Sequence, residues 1–247
     1  MSLDTLKGRR IVLVGGSAGI GLATARAAAK AGARLVIAGR TQARLESAKA
    51  ELGGTVETHR VDATEEDAVA AFFARVGAFD HVASFVPSAS DKAMSARFGR
   101  FVDIDRDTFA AIFRNRFWAQ CYIARHGAPL VAKDGSIVFM SSTQPRKSIP
   151  RYAASASAAG AVESLARVLA LELAPVRVNV IAPGFIMTPG TEEIPEERKR
   201  AWAEMVSRQA VQRLGTAEEI AAAILFMMAN PYMTGAVMTV DGGYSLT

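Results

Sequence analysis

Three hydroxyls, Ser142, Tyr152 and Ser155, fall in one short stretch of this chain, and residues of these types can polarise and protonate an oxygen while bonds change at an adjacent carbon. Ser142 offers a hydroxyl donor, and Tyr152 is the stronger acid of the set. Tyr152 is followed by Ala-Ala-Ser-Ala-Ser-Ala-Ala, ending at Ala159, so no lysine shares its helix turn or the next. An unassisted tyrosine has a pKa near about 10 and serine is a far poorer acid, so neither yields a proton readily without a nearby cation. Arg151 adjoins Tyr152, but adjacent helical residues point about 100° apart. Arg146 and Lys147 in the preceding loop, and Arg116 further upstream, are the other cations placed to reach in.

Positioning these groups requires a scaffold, and the sequence alternates short β-rich runs with longer helical patterns. The runs are Arg10 to Val14, Arg34 to Ala38, Thr55 to Val61, His81 to Phe85, Ser136 to Met140, Arg177 to Ile181 and Ala236 to Val240. Alternation of this kind predicts an α/β fold, a Rossmann-type doubly wound parallel sheet of about seven strands with helices on both faces. The strands are almost wholly apolar, as expected when both sheet faces are covered. Ala-rich segments such as Ile20 to Ala31 and Gln42 to Leu52 suit close helix-on-sheet packing by right-handed crossovers.

The first strand runs directly into Gly15-Gly16-Ser17-Ala18-Gly19-Ile20-Gly21, after which a helix begins. Glycines there permit a tight turn and close approach of backbone to a pyrophosphate, which the helix N-terminus attracts. Strand two ends in Ala38-Gly39-Arg40-Thr41. An acidic residue at that point binds a ribose 2′-OH; Gly39 removes the carboxylate and Arg40 offers donors matched to a 2′-phosphate, so NADP is expected over NAD. Asp62, with Ala63 after strand three, is placed to accept from the adenine amino group or to cap the helix that begins at Glu65-Glu66.

Taken together these features resemble the short-chain dehydrogenase/reductase family over nearly the whole chain. The matching residues are Gly15, Gly19, Ile20 and Gly21, Asp62, Asn115 in a long fourth helix, Ser141-Ser142, Arg177-Val178-Asn179-Val180-Ile181-Ala182-Pro183-Gly184, and Asp241-Gly242-Gly243. The resemblance implies that Pro183, Gly184, Ile186 and Thr188 clasp a nicotinamide and that Ser84 lies at the cofactor pocket's floor. It also implies catalytic roles near Asn115, Ser142, Tyr152 and Ser155, and a homodimer or homotetramer. Two departures stand out: Val14 replaces the usual Thr, and Ser84-Phe85-Val86-Pro87 replaces the usual Asn-Asn-Ala-Gly.

Family members usually pair a tyrosine with a lysine four residues on. Counting back from Leu169-Ala170-Leu171-Glu172-Leu173-Ala174-Pro175 puts the usual Tyr at Ser155 and the usual Lys at Ala159, and counting forward from Ser142 also reaches Ser155. Aligning Tyr152 instead would insert three residues into the helix, rotating its buried face by about 300°. The spacing of Tyr152 to position 159 is similar to that of the bacterial enoyl-acyl carrier protein reductases, and Ser155 is similar to the 2,4-dienoyl-coenzyme A reductases, although both keep the lysine. The expected function is therefore an NADP(H)-dependent oxidoreductase with an altered acid site, acting on a small carbonyl or an activated C=C bond. The competing expectation is an NADP-binding sensor or partner subunit that has lost turnover. A lyase or dehalogenase is disfavoured by the cofactor signals.

Composition narrows the rest. At 247 residues and 50% apolar content, with no linker composition, the chain is read as a single domain, 1–247, with a substrate-covering loop near 188–213. Its net charge of +5 comes from scattered residues, with a local excess at Arg146, Lys147 and Arg151, and no basic run interleaved with aromatics, so a small-molecule substrate is expected and a nucleic-acid partner is not. No apolar run of about 18 residues and no signal-peptide organisation is found, so a soluble, cytoplasmic protein without a membrane partner is expected. The single cysteine, Cys121, is read as packing, and no metal is expected.

Overall fold

Apolar strands flanked by Ala-rich helices assemble into one parallel sheet in the computed structural model, which describes residues 3–53, 56–86, 99–188 and 196–247, without the side chains of 196–198 and 201. The strands are β1 (Arg10–Val14), β2 (Arg34–Gly39), β3 (Glu57–Arg60), β4 (Phe79–Ser84), β5 (Val131–Met140), β6 (Arg177–Pro183), the short β7 (Ile186–Met187) and β8 (Gly215–Thr216), and β9 (Val237–Val240). Seven of them form the order β3-β2-β1-β4-β5-β6-β9, every pair parallel, while β7 and β8 pair separately. The chain winds one way from β1 and the other way from β4, so the crevice at the carboxyl ends of these two strands is the topological switch point where such sheets bind ligands.

The helices are α1 (Gly19–Lys30), α2 (Gln42–Leu52), α3 (Glu66–Val76), α4 (Arg106–Phe113), α5 (Ala119–Gly127), α6 (Ala153–Glu172), α7 (Glu196–Ser207) and α8 (Ala217–Ala229). Alternate residues of β1 face opposite layers. Ile11 and Leu13 pack with Ala25, Ala28, Ile220 and Ile224 of α1 and α8. Val12 and Val14 belong to the other core, with Phe72, Phe73, Ile123 and Val162 of α3, α5 and α6. α6 is the one described helix long and apolar enough to cross a membrane, yet here it packs along β5 and β6.

Several expectations are corrected in detail. β4 begins at Phe79 and β5 at Val131, earlier than the apolar runs, because Asp80 and Asp134 tolerate the strand's amino end by pairing with Arg9 at 2.7 and 2.5 Å. The third strand is confined to Glu57–Arg60, and its expected first residue, Thr55, lies outside the described residues. The long fourth helix is interrupted by a π segment, Arg114–Trp118, between α4 and α5. The Arg177-Val178-Asn179 motif is architectural. Arg177 donates to the Met227 and Met228 carbonyls, both at 2.7 Å, satisfying the orphan end of α8, and Asn179 bonds Met233 and Ala236 to set the entry to β9.

Candidate active site

A cavity of about 530 Å³ opens at the carboxyl ends of the strands, along the switch point. At its β1–β2 side the glycines are there for space. Gly15 has φ +89°, and a Cβ on it would lie 2.6 Å from the Phe85 carbonyl oxygen, while one on Gly21 would run into the Gly15 carbonyl. α1 begins after Ala18, which caps nothing with its side chain, so the first N–H groups of a 12-residue helix face the cavity. Ser17, Gly19, Ile20, Arg40, Thr41, Asp62 and Ala63 also line this side. Arg44, in the first turn of α2, joins them. Asp62 does not cap the next helix: its Oδ1 accepts from the N–H and hydroxyl of Thr64, at 3.0 and 2.8 Å, and α3 starts at Glu66.

The expected hydroxyls meet at the opposite side. Ser142, at the end of β5, lines the cavity with Tyr152, Ser155, Ala159 and Asn115. Pro183, Gly184, Ile186 and Thr188 line the same cavity. Gly184 is required by contact, since a Cβ there would lie 2.7 Å from the Asp241 Cα. Arg151 holds φ +75°, a left-handed conformation uncommon for a side chain of this size. That turn delivers Tyr152 to the N-cap of α6. Burial, then the neighbouring Tyr152, push the Tyr244 phenol above its ordinary range.

Ser155, Ala159 and Glu163 follow one another at four-residue spacing on one buried face of α6. Glu163 is 8% exposed and accepts three hydrogen bonds from two side chains. Arg146 donates Nη2 to Oε2 at 2.8 Å and Nη1 to Oε1 at 3.1 Å, and the Ser141 hydroxyl donates to Oε1 at 2.6 Å. The Arg146 Nη1 also reaches the Ser142 carbonyl at 3.4 Å. This network ties the end of β5 to α6 one turn beyond Ala159.

The π segment shapes the remaining wall. The Asn115 amide donates to the Ala111 carbonyl at 2.9 Å and that of Gln120 to the Arg116 carbonyl at 2.7 Å, so side chains take up carbonyls that a π turn releases. Gln120 also brackets Met140, donating to its carbonyl at 2.9 Å and accepting its N–H at 2.8 Å. Asn115 therefore lines the cavity while its amide nitrogen serves the helix. Arg116 lines it too.

Other expectations are revised here. Ser84 is buried at the end of β4 and does not line the cavity; the residues that do so are Phe85, whose N–H bonds the Val14 carbonyl at 2.7 Å, and Val86. Arg146 is committed to Glu163, and Lys147 to Tyr244, whose carbonyl it bonds at 3.1 Å and whose ring it covers at 4.5 Å. Neither lines the cavity, nor does Arg151. The loop expected near 188–213 lies partly outside the described residues, including Glu192 and Glu193. Its described part brings Trp202 to the cavity, packed on Phe185, which meets Tyr244 edge-on at 4.9 Å. Residues that the sequence did not single out are Arg44, Gln120, Glu163, Phe185 and Trp202. Burial pushes the Cys121 thiol up to about 11, consistent with packing.

Comparison with known proteins places this geometry. A family profile described as enoyl-(acyl carrier protein) reductase matches residues 14–245. Galactitol 2-dehydrogenase (L-tagatose-forming) of Cereibacter sphaeroides is 37% identical, over 98% of this chain and 96% of its own. L-xylulose reductase of Bos taurus is 31% identical over 98% of each chain. A solved small-chain dehydrogenase in complex with NADPH is 30% identical with a TM-score of 0.79, covering 98% of this chain and all of that one.

Proposed function

The chain belongs to the short-chain dehydrogenase/reductase family, and we propose that it is an NADP(H)-dependent oxidoreductase with an altered acid site. The substrate class is a small carbonyl compound, with an activated C=C bond as the alternative acceptor. One observation carries this reading: a single cavity joins the glycine cradle and Arg40 and Arg44 to Ser142, Tyr152 and Ser155. The cradle fits a dinucleotide, since Gly15 and Gly21 leave room that any Cβ would fill and the α1 N-terminus faces it. Arg40 and Arg44 supply planar donors for a 2′-phosphate, and Thr188, Ile186 and Gly184 would hold the nicotinamide end. When bound, NADPH supplies hydride.

The chain's own residues serve the acceptor oxygen. The Ser142 and Tyr152 hydroxyls donate hydrogen bonds to it and stabilise charge as it develops, and Tyr152 passes its phenolic proton on. Phe185 and Trp202 screen that end from water. Relatives named for a polyol and a ketose support a small polar substrate. A homodimer or homotetramer is part of the same proposal, because Cys121, Ala124, Pro129, Leu165, Leu169 and Leu173 of α5, α6 and their flanks line an apolar groove. A cytoplasmic location is proposed with it.

Purified protein should oxidise NADPH with some member of a panel of small ketoses, aldehydes and enones. Tyr152→Phe and Ser142→Ala should each lower that rate by about 10²-fold or more. Inertness across the panel favours the second reading, an NADP-binding protein without turnover, which the pairing of buried Ser155 with Ala159 supports. The double change Ser155→Tyr with Ala159→Lys separates the two: activity gained from an inert protein identifies a vacated site, whereas activity lost from a working one identifies Ser155 as part of an altered one.

A further inference from the structure

The cavity carries cations on both sides of the switch point. Arg40 and Arg44 stand beyond the end of β2, and Arg116 stands beside the end of β5, where Gln120 bonds both the Arg116 carbonyl and Met140. In the order β2-β1-β4-β5 three inter-strand steps separate these places, about 14 Å. An adenosine moiety held between β2 and the loop after the adjacent β1 ends well short of Arg116. A ligand touching both sides must have a second half.

Arg116 lines the cavity while its Nε is shut off from solvent, so the guanidinium is drawn in from the π segment. Among the described residues it is the cation lining the side that holds Ser142, Tyr152, Ser155 and Ala159. A guanidinium stays charged at any working pH, and its fork of donors suits a vicinal pair of hydroxyls. We propose that Arg116 holds the nicotinamide ribose of the dinucleotide, supplying from the π segment the charge that Ala159 cannot supply from α6. This assignment rests on the NADP reading above.

Binding measurements on the full chain without substrate test it. Wild type, Arg116→Met, Arg116→Gln and Arg116→Lys are titrated with NADPH by fluorescence and with 2′,5′-ADP, the adenosine half alone, by calorimetry. R116M and R116Q should weaken NADPH by about 10- to 100-fold and leave 2′,5′-ADP within about twofold, with R116K between. Retained 2′,5′-ADP binding also certifies folding, and R116Q decides the matter where R116M fails to fold. Unchanged NADPH affinity in the variants, or equal loss of both ligands, overturns the assignment of Arg116 alone. Wild type that binds 2′,5′-ADP no better than 5′-ADP and fails to bind NADPH overturns the NADP reading, and this one with it.

Discussion

Replacing Arg146 by methionine strands the Glu163 carboxylate, and the cost follows from how unequally the two partners are buried. The Glu163 side chain is 8% exposed and that of Arg146 30%, so loss of the cation leaves a charge inside the protein, whereas loss of the anion leaves a cation able to turn to water. Breaking a buried pair from one side costs about 3–5 kcal/mol. The Ser141 hydroxyl remains on Oε1 at 2.6 Å and water can enter along the path Arg146 vacates, which brings Arg146→Met to about 2–3 kcal/mol. Glu163→Gln keeps an acceptor for Ser141 and should cost about 1 kcal/mol. With both charges gone, R146M/E163M should cost no more than R146M alone, so the coupling is at least the cost of E163M by itself, about 1 kcal/mol. Urea unfolding at constant slope reads these differences, and a thermal scan of R146M should drop by roughly 5–10 °C in a chain of this size. Because Arg146 also bonds the Ser142 carbonyl, amide exchange should quicken first between Ser141 and Lys147. R146M no costlier than E163Q, or a double variant equal to the sum of its singles, would refute the reasoning.

Arg40→Ala with Arg44→Ala should reduce the preference for NADPH over NADH by about 10- to 30-fold, read as the ratio of two fluorescence titrations; an unmoved ratio removes these residues from the 2′-phosphate site. Gly15→Ala places a Cβ against the Phe85 backbone at a φ of +89°, with no side chain free to yield, so dinucleotide binding should fall by at least about tenfold. His81 pairs with Ser136 at 2.9 Å, and burial, then the Arg177 cation, push its imidazole down to about 4. The unfolded imidazole takes its proton near pH 6.5 and the folded one only near 4, so stability is full above 6.5 and falls with acidification through this window, by about 2 kcal/mol from pH 7.5 to pH 5. His81→Asn should flatten that part of the profile in urea midpoints, and an unchanged slope would count against it.

Elements that announce themselves locally were legible in the residues. β1 and α2 have the expected bounds, Arg10–Val14 and Gln42–Leu52, because each is set off by neighbours that break its pattern. The early starts of β4 and β5 were hidden, since Asp80 and Asp134 read as turn residues until Arg9 is seen between them. The cavity lining after β1, β2 and β3 was legible for the same local reason: residues that follow a strand's carboxyl end face the crevice. Ser84 was the exception, for it is the last residue of β4, with its hydroxyl buried, and Phe85 is the first to follow the strand. The fate of the cations was not legible, because it depends on partners far along the chain. Arg146 finds Glu163 across 17 positions and Lys147 finds Tyr244 across 97, while the π segment that carries Arg116 leaves no pattern in composition.

Those pairings change what Ala159 signifies. A missing lysine with every neighbouring cation also diverted would describe a site stripped of charge. Here the face of α6 keeps a charged partnership one turn lower, at Glu163, where it fastens Ser141 and the Ser142 backbone in place without facing the cavity. Positioning of the serine and provision of a cation, two tasks that a single lysine at 159 could share, are thereby divided between Arg146 on one side of β5 and Arg116 on the other. Divided tasks fail separately. Loss of the Arg146 pair should loosen the serine with the adenosine half still bound, and loss of Arg116 should release the nicotinamide half from an otherwise stable protein. A site merely decaying from its ancestral form has no reason to show that separation.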